Sequence, residues 1–496
     1  MKSGTAGMVC QVWNKWSRLL VVAIAMIMYL SLCLLSNADA IDQSVKTMLQ
    51  RATGISDDDV KSIANKKELT LFDAYALAVH NTERLAMEGE NSIQAEERKL
   101  QAIETFLPYF SIRANKVFPP AGTRYISIAR SAVSLYLRQP IVTGLKEASQ
   151  IKSSLSYEKI RRFELYHNAD VLLEDVANAF YSVLLLERDL KNNEQLLDLY
   201  VKTINELKRR VTIGRSRQSE ILRTNTQVYK LQADIKSLHT DLEHAKLLLG
   251  TLTGTDADVI LVDSAGIHDP EYTVADAPRI VESRWDVKAA KEQVEYAKAG
   301  VLAAYGIHLP SVYFEGNYFL YQEPQSKTSQ WKKALVLSNS TPTSLVSSYL
   351  AGGAPTKTRD YYFSLGAELP FFGGDITFAK VREANSIKRQ SDLGLSQMIR
   401  ITRQEIIDSF QTWESSKVEL DAYRKALTSA EENYRVVAGE YRLNLVTILD
   451  VLTTLTSLQT ARYDYERAVL QNKLNRIRLG IASNEFSGDR IRALKK

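Results

Sequence analysis

The side chains best suited to chemistry are few and scattered in this sequence. Neither of the two cysteines, Cys10 and Cys33, lies beyond the first forty residues, so the rest of the chain has no thiol nucleophile and no cysteine metal ligand. No HExxH zinc motif is present. The six histidines are His80, His167, His239, His244, His268 and His308. We therefore expect no enzymatic activity, no cofactor and no metal site.

Two acidic residues do occupy repeating positions. Glu220 and Asp450 are separated by 230 residues, and each follows a turn-forming residue, Gly214 or Asn444, by six positions. An acid in the first turn of a helix is favourable by itself, so local helix stabilisation and a functional role are both open. The other ionisable side chains close to these turns are Arg215, Arg217, Tyr441 and Arg442.

The elements that carry these turns can be read from the proline positions. None of the 11 prolines falls within 141–269 or after 370, and residues 145–213 contain neither glycine nor proline. Proline breaks helices, so both stretches are free to be helical. A single helix over 145–213 would be about 100 Å long, which no ordinary globular domain needs.

The two helical stretches are copies of each other. Pro140 pairs with Pro370, Gly144 with Gly374 and Gly250 with Gly480, each at a spacing of 230. Before the prolines the spacing is 202, since Leu107-Pro108 matches Leu309-Pro310. A tandem duplication with 28 extra residues between positions 310 and 370 explains both spacings.

Apolar residues recur every seven positions in these stretches, which predicts coiled-coil packing. In the second copy, Arg462 and Arg476 interrupt the returning seam. A plain soluble coiled coil is an equally good interpretation of this feature alone. The clearest seams are Val176, Val183, Leu190, Leu197 and Ile204, followed by Ile221, Val228, Ile235, Leu242 and Leu249.

Four segments with period-two alternation interrupt the helices, near 110–115, 133–138, 312–318 and 363–369. Each is about 10 residues long, the length of a tilted membrane-spanning strand. Tyrosines near the strand ends predict an aromatic girdle, although ordinary β-propensity also explains them. They are Tyr109, Tyr125, Tyr136, Tyr318, Tyr321, Tyr361 and Tyr362. Four strands cannot close a barrel, and open edges are not tolerated in hydrocarbon, so we expect several chains to combine.

The first forty residues have the form of a secretory signal peptide. Lys2, Lys15 and Arg18 precede the apolar stretch 19–35, and Ala38-Asp39-Ala40 provides a cleavage site before Ile41. A retained membrane helix and lipid attachment at Cys33 are the alternatives. The formal net charge is +5, and removing three basic residues and Asp39 leaves +3, so nothing indicates a nucleic-acid partner.

The order of these features resembles the TolC family of outer-membrane efflux proteins. The most specific stretches are Arg284-Trp285-Asp286-Val287, Leu369-Pro370-Phe371-Phe372-Gly373-Gly374 and Leu449-Asp450-Val451-Leu452. The resemblance implies a mainly α fold with a small membrane β-barrel. Each chain would supply duplicated long-helix hairpins and four strands, which a homotrimer completes into a 12-stranded barrel and a helical tunnel.

The resemblance also implies a location and partners. The protein would lie in the outer membrane of a Gram-negative bacterium, in contact with its lipid, with most of its mass in the periplasm. A periplasmic adaptor and an inner-membrane transporter would dock at the tunnel end. The trimer would then export drugs, metals or secreted proteins.

We divide the chain accordingly. The signal peptide is 1–40 and an extension without strong pattern is 41–67. Repeat 1 is 68–264, with a hairpin at about 108–139 and a tip at about 214–220, and a linker follows at 265–278. Repeat 2 is 279–484, with a hairpin at about 310–370 and a tip at about 444–450, followed by a basic tail at 485–496.

By the same resemblance, the tips hold the aperture. The gate candidates are Glu220, Asp450, Tyr441, Arg215, Arg217 and Arg442. The docking turns are Gly214, Ser216, Ser219, Asn444, Val446 and Thr447, with Ser219 and Thr447 as expected helix caps. The barrel-to-helix turns are Pro140, Gly144, Pro370, Gly373 and Gly374.

Val446 and Thr453 depart from family members that are charged at these positions. Threefold repetition would make rings of like charge and raise the carboxyl pKa values.

A periplasmic coiled-coil adaptor or scaffold that never enters a membrane is the competing hypothesis. An adaptor usually has one helical hairpin flanked by β-rich domains. This chain instead has duplicated hairpins and few strands.

Overall fold

Long helices and short strands alternate along the chain. The computed structural model describes residues 38–63, 66, 68–116, 132–255, 260–263, 268–322, 361–370, 375–443 and 445–486. The helices are α1 Ala38–Thr53, α2 Asp57–Ile63, α3 Leu71–Asn81, α4 Glu83–Glu104, α5 Lys146–Thr212, α6 Gln218–Thr253, α7 Ala277–Ser283, α8 Trp285–Gly306, α9 Asp375–Arg442 and α10 Ile448–Ala482. The strands are β1 Glu68–Leu69, β2 Tyr109–Asn115, β3 Ala132–Thr143, β4 Ile260–Leu261, β5 Ser311–Gln322 and β6 Tyr361–Glu368.

Several predicted features lie outside the described residues. They are most of the signal peptide, Tyr125, both hairpin loops, Gly373, Gly374, Asn444 and the tail from residue 487. The remaining chain divides into two compact units. The first takes the described residues within Met1–Gln94, Lys159–Lys291 and Gly394–Lys496, and the second takes those within Ala95–Glu158 and Glu292–Leu393.

The predicted long helices are confirmed. Helix α5 has 67 residues and α9 has 68, so each is about 100 Å long at the usual rise per residue. Both lack proline throughout, and α5 also lacks glycine. Their returning partners, α6 and α10, have 36 and 35 residues.

Most of the predicted seam residues are buried in the first unit. Val176 and Val183 of α5 are at most 1% exposed and Ile204 is 8% exposed, while Leu190 and Leu197 are half-buried. The interruption predicted at Arg476 takes a specific form. Its side chain is buried, and its two terminal nitrogens donate to the two carboxylate oxygens of Glu485 at 2.9 Å each. An ion pair with both groups hydrogen-bonded makes a buried charge tolerable at a seam position.

The extension predicted to lack pattern is helical. Residues 41–67 contain most of α1 and all of α2, and Ala52, Ile55 and Ile63 join the main core of the first unit. That core continues through α3, where Phe72 and Tyr75 are almost completely buried. Thr70 caps α3 by accepting a hydrogen bond from the Asp73 amide. The short strands β1 and β4 pair in parallel beside it.

The second unit contains a four-stranded antiparallel sheet in the order β2-β3-β5-β6. The two predicted hairpins therefore lie side by side, joined through β3 and β5. The register aligns the predicted apolar faces, since Ile112 pairs with Leu135 and Leu135 with Tyr318. One face of the sheet is thus apolar and exposed, with Phe110 71% and Leu365 69% accessible.

The opposite face of the sheet is polar. Two tyrosines that were predicted to belong to the aromatic girdle lie on this face instead. Tyr136 is 5% exposed on this face, and its hydroxyl donates to Glu315 at 2.6 Å. Tyr362 is also on this face and accepts a hydrogen bond from Asn317 at 2.7 Å. Both are therefore excluded from an outward girdle because alternation turns them inward. Tyr318, Tyr321 and Tyr361 do lie exposed on the apolar face.

The turn from β3 into α5 depends on a close backbone approach. Gly144 has φ +61, and a Cβ there would meet the carbonyl oxygen of Gly306. Pro140 lies at a register shift of β3, where a missing amide hydrogen is tolerated. In the second copy, Pro370 is exposed two residues after the end of β6. The predicted turn residue Gly144 thus has a defined steric reason in the first copy.

Candidate functional site at the helix tips

The first tip is a tight turn built on a left-handed glycine. Gly214 has φ +70, and the Arg215 amide donates to the Arg210 carbonyl at 2.8 Å. This pattern ends a helix by satisfying its last carbonyls. A Cβ at Gly214 would meet nothing within 4 Å, so the requirement for glycine is the dihedral angle alone.

The cap predicted at Ser219 is wrong. Helix α6 begins at Gln218, two residues earlier than a Ser219 cap requires, and its N-cap is Arg217 without a side-chain hydrogen bond. Ser219 therefore lies inside the first turn. Glu220 occupies the third helical position, where a carboxylate interacts favourably with the helix dipole.

The second tip has the cap that the sequence predicts. The Thr447 side chain accepts a hydrogen bond from the Asp450 amide, and Asp450 Oδ2 accepts from the Thr447 amide at 2.8 Å and from its hydroxyl at 2.7 Å. This reciprocal capping box stabilises the start of α10. The hydrogen bonds from Thr447 hold the pKa of Asp450 below its ordinary value. The contacts within one chain therefore act against the rise in pKa expected from a ring of acids.

A residue outside the predicted set completes the site. The Arg210 guanidinium lies 4.3 Å from the centroid of the Tyr441 ring and also pairs with Glu206 at 3.2 Å. A cation over an aromatic ring is an attractive contact, and here it joins the ends of α5 and α9. Burial raises the pKa of Tyr441, while the Arg210 charge and the Ser216 hydroxyl oppose that rise. The contact was missed because its partners are 231 residues apart in sequence.

The four helices share one hydrophobic cluster behind the tips. Leu207 of α5, Ile221 of α6, and Ile448 and Leu452 of α10 are all at most 6% exposed in this cluster. Tyr441 of α9 packs against it. The cluster fixes the two tips relative to each other, and so it holds Tyr441 beside Arg210.

The other basic candidates point away from this contact. Arg215, Arg217 and Arg442 are exposed, and within the described part of the chain none of them pairs with a carboxylate. Val446 and Ser216 are half-buried. Arg210, not Arg215 or Arg217, is therefore the cation that the structure places next to Tyr441.

The described residues show neither a metal-binding cluster nor a helix suited to cross a membrane. No group of three histidine, cysteine, aspartate or glutamate side chains there is arranged to bind a metal ion. Of the helices described, none has the length and apolar character needed to span a bilayer.

Comparison with known proteins shows which family the second repeat resembles. The family profile described as outer membrane efflux protein matches residues 275–484, which cover nearly all of the second repeat. Residues 275–484 therefore resemble the outer membrane efflux protein family. The profile is described as one of outer-membrane proteins, and the relative TolC is named as an outer membrane protein.

Individual relatives are distant in sequence but similar in fold. Outer membrane protein TolC of Salmonella enteritidis is 19% identical over 350 residues, an alignment that spans 65% of this chain and 63% of TolC. VceC of Vibrio cholerae has a TM-score of 0.68 at 16% identity, covering 84% of this chain and 96% of VceC. The CmeC channel of Campylobacter jejuni has a TM-score of 0.69 at 13% identity, covering 86% and 87%. The predicted fold is therefore confirmed.

Proposed function

We propose that the protein is the exit duct of a tripartite export system. Three copies form a channel through the outer membrane and a tunnel into the periplasm. A periplasmic adaptor and an inner-membrane transporter dock at the helix tips. The exported cargo is a small molecule, such as a drug or a metal ion, or a secreted protein. The channel performs no chemistry, and its control lies in opening and closing the tips.

The amphipathic sheet of the second unit carries this proposal. Its apolar face is exposed along all four strands, while its polar face carries Tyr136, Glu315 and Asn317. Both edge strands, β2 and β6, lack a second partner among the described residues. Unpaired backbone groups are too costly in hydrocarbon, so the strands of other copies must pair with these edges.

The number of copies follows from barrel size. Two copies of a four-stranded sheet would give eight strands, and an eight-stranded barrel is just wide enough to be filled by its own side chains. Three copies give twelve strands, and the wider barrel leaves an open lumen. A homotrimer is therefore the smallest assembly suited to transport.

The helices of the first unit support the same assembly. Coiled-coil helices bury a seam on each side when they are enclosed by neighbours. On α9, Val418 is 72% and Val436 is 55% exposed in one chain. Such apolar positions on a long helix are suited to contacts with other copies.

A pair of substitutions on β6 tests the proposal. Leu365→Lys places a charge on the apolar face, where a membrane-facing lysine costs about 2–4 kcal/mol. Ser364→Lys places the same charge on the polar face, opposite Glu315. We expect Leu365→Lys to reduce the heat-resistant trimer in the outer-membrane fraction at least severalfold. Ser364→Lys should assemble as the wild type does.

The opposite results would decide against the proposal. If Leu365→Lys assembles normally, the apolar face does not contact lipid. A wild-type protein found only in the soluble periplasmic fraction would favour the scaffold hypothesis instead.

A further inference from the structure

The two helix tips have opposite charge although they arose from the same repeat. Residues 208–230 contain seven basic residues and one acidic residue, Glu220, a net charge of +6. The equivalent residues 438–460 contain one basic residue, Arg442, and two acidic residues, Glu440 and Asp450, a net charge of −1. We call these segments the basic tip and the apolar tip. The basic residues are Lys208, Arg209, Arg210, Arg215, Arg217, Arg223 and Lys230.

The excess charge of the basic tip is open to solvent. Arg215, Arg217 and Arg223 are exposed, and among the residues described here none of them forms an ion pair. By contrast, Arg210 is occupied by Glu206 and Tyr441. The cations available for an external contact are therefore those around the turn and at the start of α6.

Helix stability does not explain these cations. Basic residues in the last turn of α5 are favourable because they face the negative end of the helix dipole. Arg217 occupies the N-cap position of α6, at the positive end of that helix dipole, and its side chain makes no capping hydrogen bond. Positive charge there is unfavourable for the helix. A feature that costs local stability points to a role outside the chain.

Other copies of the chain cannot neutralise the excess either. The apolar tip offers only Glu440 and Asp450, and the Asp450 carboxylate is engaged by Thr447. Even with complete pairing between tips, a net charge of +5 per chain would remain. Like charges repeated around an assembly repel each other, so an acidic partner would relieve that repulsion.

The apolar tip presents a different surface. Leu443 and Leu445 are each 71% exposed, and Leu449 is 51% exposed. Exposed leucines clustered at a turn are suited to a contact with apolar side chains. A partner that meets both tips must therefore offer acidic and apolar sites in alternation.

We propose that the basic tip, residues 208–230, docks an acidic surface of a periplasmic protein, while the apolar tip docks an apolar surface of the same protein. This inference rests on the proposed function and names the chemistry of the partner. Alternating sites fix the rotational register of the partner, because an acidic site placed at the apolar tip would face Glu440. A uniformly anionic lipid surface provides no such alternation, which favours a protein. Complementary charge also accelerates association.

Charge reversal in the native host tests the proposal. The tip variant is Arg215→Glu/Arg217→Glu/Arg223→Glu. The control variant, Lys236→Glu/Arg400→Glu/Arg403→Glu, makes the same change in net charge at exposed positions elsewhere on the long helices. Export is measured as the intracellular accumulation of a fluorescent dye in cells lacking the chromosomal copy. We expect the tip variant to accumulate dye as the deletion strain does and the control to resemble the wild type.

A binding measurement on purified protein separates peptide from lipid. The probes are labelled poly-L-glutamate and phosphatidylcholine vesicles with one-third phosphatidylglycerol. We expect the tip variant to bind poly-L-glutamate about tenfold more weakly than the control at 50 mM NaCl, with the difference shrinking at 500 mM as salt screens the charges. A tip-dependent loss of vesicle binding alone would assign the surface to lipid and overturn the proposal.

Single-channel recording distinguishes failure of the inference from failure of the proposed function. If the tip variant forms pores like the wild type but does not export, both the acidic partner and the proposed channel function are supported. If it forms pores and exports normally, the acidic partner is wrong and the channel remains. If the wild type forms no pores, the proposed channel function is wrong. The binding of poly-L-glutamate to wild type, tip variant and control then still tests whether the basic tip binds acidic partners.

Discussion

At the scale of residues, the contact between Arg210 and Tyr441 is the feature of the tips that acts between helices. It joins the ends of α5 and α9, which belong to different repeats. Contacts of this kind contribute about 0.5–2 kcal/mol, enough to shift a closed–open equilibrium severalfold without locking it. We infer that, in the proposed channel, the pair favours the closed arrangement of the tips.

Substituting Arg210 tests this role. Arg210→Gln removes the charge above the ring, and we expect the open fraction in single-channel recordings to rise about threefold to tenfold. Tyr441→Phe keeps the ring and should change the open fraction much less. Equal effects of the two substitutions would show that the hydroxyl, and not the ring, carries the contact.

Asp189 provides a second residue-scale prediction. It lies on α5 with 3% of its surface exposed, and burial together with the Glu466 carboxylate raises its pKa to about 6. This pKa exceeds that of an unfolded aspartate, which is about 3.9. At pH values between the two pKa values, the folded state therefore binds more protons than the unfolded state. The stabilisation that Asp189 contributes is therefore fully present at pH values below the pKa of the unfolded aspartate. It is lost as the pH rises through the folded pKa of about 6.

The loss of stability with rising pH gives a prediction for Asp189→Asn. The variant should have a higher free energy of unfolding than the wild type at pH 8, and the two should agree at pH 4. Denaturant unfolding of the detergent-solubilised protein at both pH values measures the difference. Asp408→Asn, at an exposed position of α9, is the control and should show no such pH dependence. A variant that is less stable at pH 8 would contradict the assignment.

At the scale of elements, the structure requires a glycine at position 144 but not at position 300. Gly144→Ala would force a side chain into the left-handed region and against the Gly306 carbonyl, so we expect a loss of more than about 1 kcal/mol. Gly300 lies within α8 with no atom near its ideal Cβ, and Gly300→Ala should stabilise by up to about 1 kcal/mol. Thermal unfolding of the two variants measures both effects. If Gly144→Ala is as stable as the wild type, the close approach is not important.

The elements also show what can be predicted from the sequence. The long helices follow from the absence of proline, and the strands follow from period-two alternation that the register then aligns across four strands. Local patterns were less reliable at boundaries, since α6 starts one residue before the expected cap Ser219. The contact of Arg210 with Tyr441 had no local signal, because it depends on how two repeats pack.

At the scale of the whole molecule, one chain is an incomplete structure. Its sheet has unpaired edges and an exposed apolar face, and its longest helix exposes apolar residues such as Val418. In the proposed channel, other copies of the chain and the membrane cover these surfaces. In the proposed trimer, Glu220 and Asp450 would each form a ring of acids at the helix tips.

Single-channel conductance of the purified protein in a planar bilayer tests the central claim most directly. We predict discrete openings for the wild type, with lower cation selectivity for Glu220→Gln/Asp450→Asn, which removes both charges but keeps an acceptor for the Thr447 hydrogen bonds. Glu414→Gln/Glu432→Gln, at exposed positions away from the tips, should behave as the wild type. A folded, trimeric wild-type protein that forms no pores would contradict the account.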